Sequence, residues 1–442
     1  MHRSSFSLRR LAASFTLGLA VLCAHAQDAA GGKLVVMTSY PDSMVMLYKN
    51  AFEKTYPGMQ VDFVRRRSAE ALADLEKPGQ QGVDVYWAAA QGNFLALARD
   101  GAFHHLDIPM AGLPTDVGGV PISDPAFYYA AFELAGYGFV INPARLHSKG
   151  LPEPKDWTDL TDPKWQDEII LPQPSKVGFA PMMIDVILQS YGWERGWCIL
   201  HAIGANAQLL GEHGMHVADE IGKGQASVGL SIDFLARTAI AKGAPLRFAY
   251  PQVNGYSPAQ VAIMRDAPHE QNAEAFVTFL LSPAGQKLLF DPAVSRLPVR
   301  PSVYAAAPAG YFDPFTAPVP IPFAFNVSRA LEREKLDDAL FDALITDTQL
   351  ELRQTLDLVA KAERAAAASS DRALQDKAHK ARVLACAMPF NEVQAAGVAD
   401  GFSDDANAQR NADMIERWKK QAKENRSNAE SLAEQVLAAT RH

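Results

Sequence analysis

Cysteine is scarce in this chain, which has three among its 442 residues. Cys23 lies in a predicted export leader, so only Cys198 and Cys386 remain for the mature protein. Two thiols so far apart exclude a disulfide-framework fold. An oxidising compartment would permit a bridge between them. However, Cys198 lies in an apolar run at 197–200, and the sequence favours a buried small hydrophobic side chain there.

Long apolar runs are also lacking. Residues 11–24 are apolar, but they are too few for the roughly 20 residues that cross a bilayer. Three arginines precede them, and residues 24–26 form a small-x-small cleavage site. This pattern predicts a cleaved leader at 1–26, and Leu22 argues against a lipid anchor at Cys23. We therefore expect a periplasmic or extracellular protein that binds or senses a solute and uses no cofactor.

Positive net charge is missing too. Lys and Arg total 42 against 50 Asp and Glu, a formal net charge of −8. Such a chain is a poor candidate for nucleic acid or anionic membrane surfaces, so any bound anion needs local positive charge. The cluster of His213 and His216 with Glu212 and Asp219 is too weak a signal for a zinc site. There is no Gly-x-Ser-x-Gly elbow, and we expect neither a metal site nor an enzyme.

The chain contains an alternation of short apolar strands with amphipathic helices. One helix has Val45, Tyr48 and Phe52 on one face, and Asp42 or Ser43 can cap it. The alternation predicts an α/β fold with a mostly parallel sheet covered by helices on both faces. The predicted strands are 34–37, 61–64, 83–87, 138–141, 168–171, 227–232 and 261–264.

The C-terminal part has a different texture. A proline-rich segment at 318–322 marks a linker, and the chain beyond it is rich in Ala, Leu, Glu, Lys and Arg. The pattern breaks at 390–405 and resumes as a second helical stretch at 406–439. There is no sustained heptad, so a coiled coil is not expected. Five residues keep close to helical spacing: Leu340, Leu344, Leu352, Leu356 and Val359.

Several segments resemble the type 2 periplasmic solute-binding proteins, the iron-binding-like class of substrate-binding proteins of ABC transporters. The matching segments are 34–40, 136–143, 157–165 with 169–175, and 279–286. Within this class, 217–221, 231–233, 257–258 with 261–262, and the helical tail are similar to the phosphoglycerate transport regulatory proteins.

The resemblance implies two α/β lobes that are joined by crossover hinge strands and close on a ligand. Lobe one is expected at 33–132 and 258–315, and lobe two at 133–257. A C-terminal helical extension is expected at 317–442. The discontinuous first lobe follows from the resemblance and not from periodicity.

Ligands in open parallel sheets bind beyond the carboxyl ends of the strands. The hydroxyl groups at 38–40 lie at a helix start, which favours anions. An arginine fork at Arg66 or Arg67 matches phosphate or carboxylate oxygens. Turn formation, helix capping, a solvated basic edge and core packing remain as alternatives. The candidate ligand-binding residues are Thr38, Ser39, Tyr40, Arg66, Arg67, Ser68, Trp87, Ser175, Lys176, Asp233, Tyr256 and Ser257.

The favoured function is capture of a small anionic solute in the periplasm by lobe closure. The subfamily resemblance favours a phosphorylated three-carbon acid or another organophosphate. It implies an ABC permease or a membrane sensor kinase as partner, without nucleic acid and without membrane insertion after leader cleavage.

Iron-binding relatives carry adjacent tyrosines after the strand that here ends at 231–233. Their absence argues against ferric iron. One alternative is a secreted hydrolase with a dispersed triad, and the other is a helical interaction protein. In the second case the tail is either a docking surface or structural packing.

Overall fold

The structure is a computed structural model that describes residues 33–117, 119–316, 325–402 and 405–441. The predicted leader and the proline-rich linker at 318–322 lie outside the described residues. In the described ranges, no helix has both the length and the apolar character needed to cross a membrane.

The chain alternates strands and helices up to about residue 300 and is helical afterwards. The strands are β1 Lys33–Thr38, β2 Gln60–Arg65, β3 Val85–Ala88, β4 Asp116–Val117, β5 Val120–Pro121, β6 Ala130–Ile141, β7 Ile169–Pro172, β8 Ala207–Leu210, β9 Val228–Ile232, β10 Arg247–Ala249, β11 Tyr256–Ile263 and β12 Leu297–Pro298. The α-helices are α1 Asp42–Thr55, α2 Ser68–Leu75, α3 Gln91–Arg99, α4 Pro143–Lys149, α5 Ala180–Tyr191, α6 Trp193–Asn206, α7 Val217–Gly222, α8 Asp233–Ala241, α9 Glu270–Leu281, α10 Pro283–Lys287, α11 Val327–Phe341, α12 Gln349–Ala367, α13 Arg372–Ala385, α14 Glu392–Phe402 and α15 Ala408–Ala439.

The sheet of the first lobe has the order β2-β1-β3-β11. β1 runs parallel to β2 and β3, and β11 is antiparallel to β3. Helix α1 packs on this sheet through the predicted apolar face. The predicted side-chain cap of α1 by Asp42 or Ser43 is wrong. Pro41 occupies the N-cap position, and Asp42 instead forms an ion pair with Arg65, with 2.9 Å between Oδ1 and Nη1.

β6 joins the two lobes. All twelve of its residues are buried, and it is much longer than the predicted strand at 138–141. Its first half pairs with β11, and its second half pairs with β9 and β10. The second lobe continues through β9, β7 and β8, with β7 parallel to both neighbours. The predicted α/β fold with two lobes and crossover strands is confirmed, whereas the domain boundaries stay a prediction.

The C-terminal helices pack on the second lobe and on one another, and Leu340, Leu352 and Val359 are fully buried. The predicted break at 390–405 is wrong, because α14 occupies most of it. α14 buries small side chains, Ala395 and Ala399, against α11 and includes two glycines. Small residues give a weak apolar periodicity, so the sequence pattern does not reveal this helix.

Cys198 and Cys386 form a disulfide bond across 188 residues of sequence. The expectation of a buried unbonded thiol at Cys198 is therefore wrong. The bond joins α6 of the second lobe to the end of α13, next to Trp193, whose ring nitrogen donates to the carbonyl oxygen of Phe390 at 3.0 Å. The packing of the tail on the second lobe brings the two cysteines together, and their spacing in the sequence does not predict the bond. A disulfide suits an oxidising compartment.

A buried ion cluster fixes the tail to the second lobe as well. Arg333 of α11 is 4% exposed and forms an ion pair with Asp185 of α5. Asp337, one turn along α11, lies 3.6 Å from the same guanidinium, and Glu392 of α14 lies 3.2 Å from it. Removing one partner of such a buried pair leaves an uncompensated charge. This cluster therefore holds α11 on the second lobe, and the disulfide holds the end of α13 there.

The second lobe contains a carboxylate whose ionisation stabilises the fold. Burial alone would raise the pKa of Glu168, but hydrogen bonds from Arg145, Lys149 and Ser227 outweigh burial and lower the pKa to about 2. A carboxylate with a lowered pKa stabilises the fold above its ordinary pKa of 4.5, and this contribution is lost as the pH falls from 4.5 towards 2.

We expect Glu168→Gln to lower the free energy of unfolding by about 2 kcal/mol at pH 7, because the charged hydrogen bonds are lost. Urea unfolding of both proteins at pH 7, 5, 4 and 3.5 checks this. The gap between the two midpoints is expected to shrink below pH 4.5. A gap that stays constant across this range contradicts the assignment.

Candidate ligand site between the lobes

A cavity of about 450 Å³ lies between the lobes, within the range of small-molecule sites. Its floor comes from the crossover strands, with Glu133, Ala135 and Tyr137 of β6 and Ser257 of β11. The first turns of α2 and α3 form the wall on the side of lobe one. The start of α5 and the end of β9 form the wall on the side of lobe two. Helix α11 of the C-terminal extension contributes the remaining wall.

Three helices begin at this cavity, and their lining residues include Ser68 of α2, Gln91 of α3 and Phe179 just before α5. None of the three N-cap residues makes a capping hydrogen bond through its side chain. In α2, Glu70 accepts a hydrogen bond from the backbone N–H of Arg67 at 3.3 Å. The first N–H groups of a helix have no partner within the helix, and the helix dipole favours negative charge there. In α5 the N–H of Ala180 donates to the carbonyl oxygen of Val177 at 2.9 Å and Pro181 has no N–H, so α2 and α3 supply most of the free donors. These helix ends around one cavity favour an anionic ligand.

Arg296 supplies positive charge to the same cavity. It is 8% exposed and forms an ion pair with Glu133. Its guanidinium carbon lies 3.9 Å from the ring centroid of Phe234 in lobe two and 5.1 Å from that of Tyr40 in lobe one. The cation therefore lies between the lobes, where a shared anion would be held.

Glu133 is the counter-charge of Arg296. Its Oε1 accepts a hydrogen bond from the hydroxyl of Tyr40 at 2.8 Å, and its Oε2 has no partner among the described residues. Burial raises the pKa of Glu133 to about 7, although Arg296 and Tyr40 act in the opposite direction. An anion that binds Arg296 competes with Glu133 for the guanidinium. Because its pKa is raised, the Glu133 carboxylate can take up a proton when the anion displaces it from Arg296.

A second polar network lies behind the cavity. The hydroxyl of Tyr250 donates to Asp233 Oδ2 at 2.6 Å, and Arg237 Nη2 donates to the same hydroxyl at 2.7 Å. The backbone N–H of Gly136 in β6 donates to Asp233 Oδ2 at 3.1 Å. Asp233 is the first residue of α8, whose N-cap is Ile232, so the helix-cap interpretation of Asp233 is wrong. Asp233 instead ties lobe two to the crossover strand.

Six of the candidate residues, including Tyr40 and Asp233 described above, lie at or directly behind the cavity. Ser68 and Ser257 line it, and Ser257 Oγ accepts a hydrogen bond from the side chain of Gln91 at 2.9 Å. Tyr256 is buried at the start of β11. Thr38 is buried, and its Oγ1 accepts from the backbone N–H of Tyr40 at 3.1 Å. Thr38 therefore shapes the turn that presents Tyr40 to Glu133.

Two candidates are misplaced. Trp87 is fully buried and packs against the rings of Tyr40 and Phe132, so it belongs to the core and not to the cavity wall. Arg66 is exposed and forms an ion pair with Asp74 at 3.0 Å, which occupies its guanidinium. The alternative of core packing is confirmed for Trp87, and the alternative of a solvated basic edge is confirmed for Arg66.

The remaining candidates lie near the cavity but do not line it. Ser39 is exposed after β1, and Ser175 and Lys176 are exposed on the short 3-10 turn before α5. Arg67 is exposed at the start of α2. Neither Arg67 nor Lys176 forms an ion pair with another described residue. Each lies within two residues of a lining residue, one in each lobe.

The sequence did not single out Arg296 or the wall formed by α11. Arg296 comes from the loop between α10 and the two-residue strand β12, where no periodic pattern draws attention to it. The one sequence signal for Arg296 was that residues 295 and 296 are polar and lie between two apolar segments. Across the ranges described, no group of three or more His, Cys, Asp or Glu side chains could hold a metal ion.

Residues 97–310 match the model of a family described as bacterial extracellular solute-binding protein. The matched part is thus similar to the bacterial extracellular solute-binding proteins, and the two-lobed part has the type 2 periplasmic-binding-protein fold. A phosphoglycerate transport regulatory protein of Salmonella typhimurium is 32% identical over 216 residues, 49% of this chain and 53% of that protein. The chain thus matches about half the length of this curated relative. An uncharacterized protein of Haemophilus influenzae is 26% identical over 355 residues, 78% of this chain and 99% of that protein.

Solved structures of periplasmic binding proteins share the fold. A periplasmic binding protein from Actinobacillus pleuropneumoniae, solved with exogenous fructose-6-phosphate bound, has a TM-score of 0.53 at 22% identity and covers 70% of this chain and 98% of its own. An iron-bound protein from Pseudomonas aeruginosa has a TM-score of 0.55 at 19% identity, covering 69% and 99%. At such identities the likeness establishes the fold alone.

Proposed function

We propose that this chain captures a small phosphorylated anion in the cavity between its lobes and closes on it. The observation that carries this proposal is the meeting of three helix starts and Arg296 in one cavity. Backbone N–H groups at helix starts and a guanidinium fork are the donors that suit phosphate oxygens. The proposal extends to the favoured ligands, a phosphorylated three-carbon acid or another organophosphate.

The relatives support phosphate as the common chemistry. One relative is named for phosphoglycerate transport regulation, and one structural neighbour was solved with fructose-6-phosphate. Other neighbours were solved with iron. In this chain the tyrosines near the site are hydrogen-bonded and buried, and burial raises the pKa of Tyr250 well above its ordinary value. Phenolate ligands for iron are therefore costly here, which favours the organic anion.

The proposed contacts include five side chains. Arg296 holds the phosphate, and Ser68 and Ser257 donate from the two sides of the cavity. Arg67 of lobe one and Lys176 of lobe two approach the ligand when the lobes close. The loaded protein is then recognised by an ABC-type permease or by a membrane sensor kinase. Export through the predicted leader, the family's extracellular character and the disulfide support a periplasmic location.

A ligand panel tests the proposal. We expect a rise in the melting temperature and a smaller radius of gyration with 3-phosphoglycerate, phosphoenolpyruvate, glycerol 3-phosphate or fructose 6-phosphate, because the lobes close on the anion. Glycerate and glycerol are the matched compounds without phosphate, and ferric citrate represents the iron alternative. A response to ferric citrate alone, or no response to any phosphorylated compound, contradicts the proposal. Hydrolysis of these phosphates would support the secreted-hydrolase alternative.

A further inference from the structure

The C-terminal extension reaches the ligand cavity, although it lies outside the residues that match the family model. Leu331 and Glu334 of α11 line the same cavity as Gln91 of lobe one and Tyr137 of lobe two. The two α11 residues are three positions apart and therefore share one face of the helix. A methyl carbon of Leu331 lies 3.8 Å from where a Cβ on Gly92, in the first turn of α3, would stand. The extension is thus in contact with a helix start that carries the proposed anion site.

The opposite side of α11 is fixed to the second lobe. Arg333 forms the buried ion pair with Asp185. Before the helix, the backbone of Asn326 and the side chain of Gln189 in α5 exchange two hydrogen bonds, of 2.8 and 2.9 Å. The disulfide of α6 and α13 adds a covalent link. Lobe two therefore carries α11 when it moves, and Leu331 and Glu334 approach or leave the ligand together with that lobe.

Glu334 is the lining carboxylate that has no cationic partner among the described residues. Its side chain is partly buried and makes no hydrogen bond or ion pair with another described residue. The other lining carboxylate, Glu133, forms an ion pair with Arg296, and only its Oε2 has no hydrogen-bond partner among the described residues. An unpaired carboxylate in a ligand cavity accepts a hydrogen bond from a ligand hydroxyl group.

We propose that Glu334 of the C-terminal extension is a specificity-determining residue of the ligand cavity. It selects phosphorylated compounds that carry a hydroxyl group on the carbon chain, and Leu331 closes the cavity beside it. This inference rests on the proposed function. The extension is then part of the binding site, in addition to its role as structural packing.

Two ligand pairs test the inference. One pair is 3-phosphoglycerate and 3-phosphooxypropanoate, and the other is glycerol 3-phosphate and propyl phosphate, so each pair differs in hydroxyl groups. Calorimetric titration of the wild-type protein is expected to give at least a tenfold preference for the hydroxylated member of one pair, because a hydrogen bond to a charged acceptor is lost with the other.

Glu334→Leu is expected to reduce that preference to less than threefold while the phosphate compounds still bind. Glu334→Gln keeps an acceptor without the charge and is expected to restore part of the preference. Glu332→Leu is the matched control, because Glu332 lies on the same helix, is exposed and does not line this cavity. It is expected to leave the preference unchanged.

Two results overturn the inference. A wild-type protein that binds phosphates with no preference, or a Glu334→Leu variant that keeps the full preference, shows that Glu334 does not select the ligand and leaves the proposed function intact. A wild-type protein that binds none of the four phosphates overturns both proposals together.

Discussion

Arg296→Met is expected to abolish measurable capture of a phosphorylated compound, with a loss of affinity of at least about 30-fold. The substitution removes the only guanidinium among the residues that line the described cavity. It also leaves Glu133 buried without its partner, which lowers the free energy of unfolding by about 3–5 kcal/mol. Calorimetric titration with 3-phosphoglycerate and urea unfolding measure the two effects separately.

Glu133→Gln separates the contribution of Arg296 to ligand affinity from its contribution to the stability of the fold. This variant also breaks the buried ion pair and is expected to destabilise the empty protein. It frees Arg296 from its competing carboxylate, however, so the affinity for the phosphate compound is expected to stay equal or to increase. Arg300→Met is the matched control, because Arg300 is equally buried and donates to the carbonyl oxygens of Leu281 and Ala111 away from the cavity. Equal losses of affinity in all three variants would contradict the role of Arg296.

Replacing both cysteines by serine is expected to lower the free energy of unfolding by about 3–5 kcal/mol, because the bond closes a very long loop in the unfolded chain. The bond between Cys198 and Cys386 spans 188 residues. Urea unfolding of the oxidised protein, the reduced protein and the double variant measures the effect through the transition midpoints. The reduced wild-type protein and the variant are expected to unfold at similar urea concentrations.

The reductant itself provides the control for this prediction. It is expected to leave the midpoint of the double variant unchanged. A wild-type midpoint that does not respond to reduction would mean that the two thiols are not bonded in the protein. The tail would then be held by noncovalent contacts alone, among them the Arg333 cluster.

Local patterns predicted most of the strands and helices of the two lobes. The predicted strand at 34–37 and the helix face with Val45 and Phe52 depend on neighbours within a few residues, and the structure contains both. Side-chain roles were less predictable. Arg66 has the chemistry for a phosphate, but Asp74, eight residues further along the chain in α2, pairs with it. No local pattern distinguishes a free arginine from a paired one.

The features that define the site depend on contacts between distant segments. Arg296 meets Glu133 across 163 residues of sequence, and Glu334 reaches the cavity from a segment beyond the family match. The disulfide depends on the packing of α13 beside α6 in the same way. Hydrophobic periodicity reports which face of an element is buried and does not report which distant element covers it.

A crystal structure with the phosphorylated compound that gives the largest rise in melting temperature shows directly where the anion binds. We expect a phosphate between the lobes, with its oxygens within hydrogen-bond distance of the Arg296 guanidinium and of backbone N–H groups in the first turn of α3. A phosphate bound outside this cavity, or an iron ion held by tyrosine side chains, would rule out the proposed site.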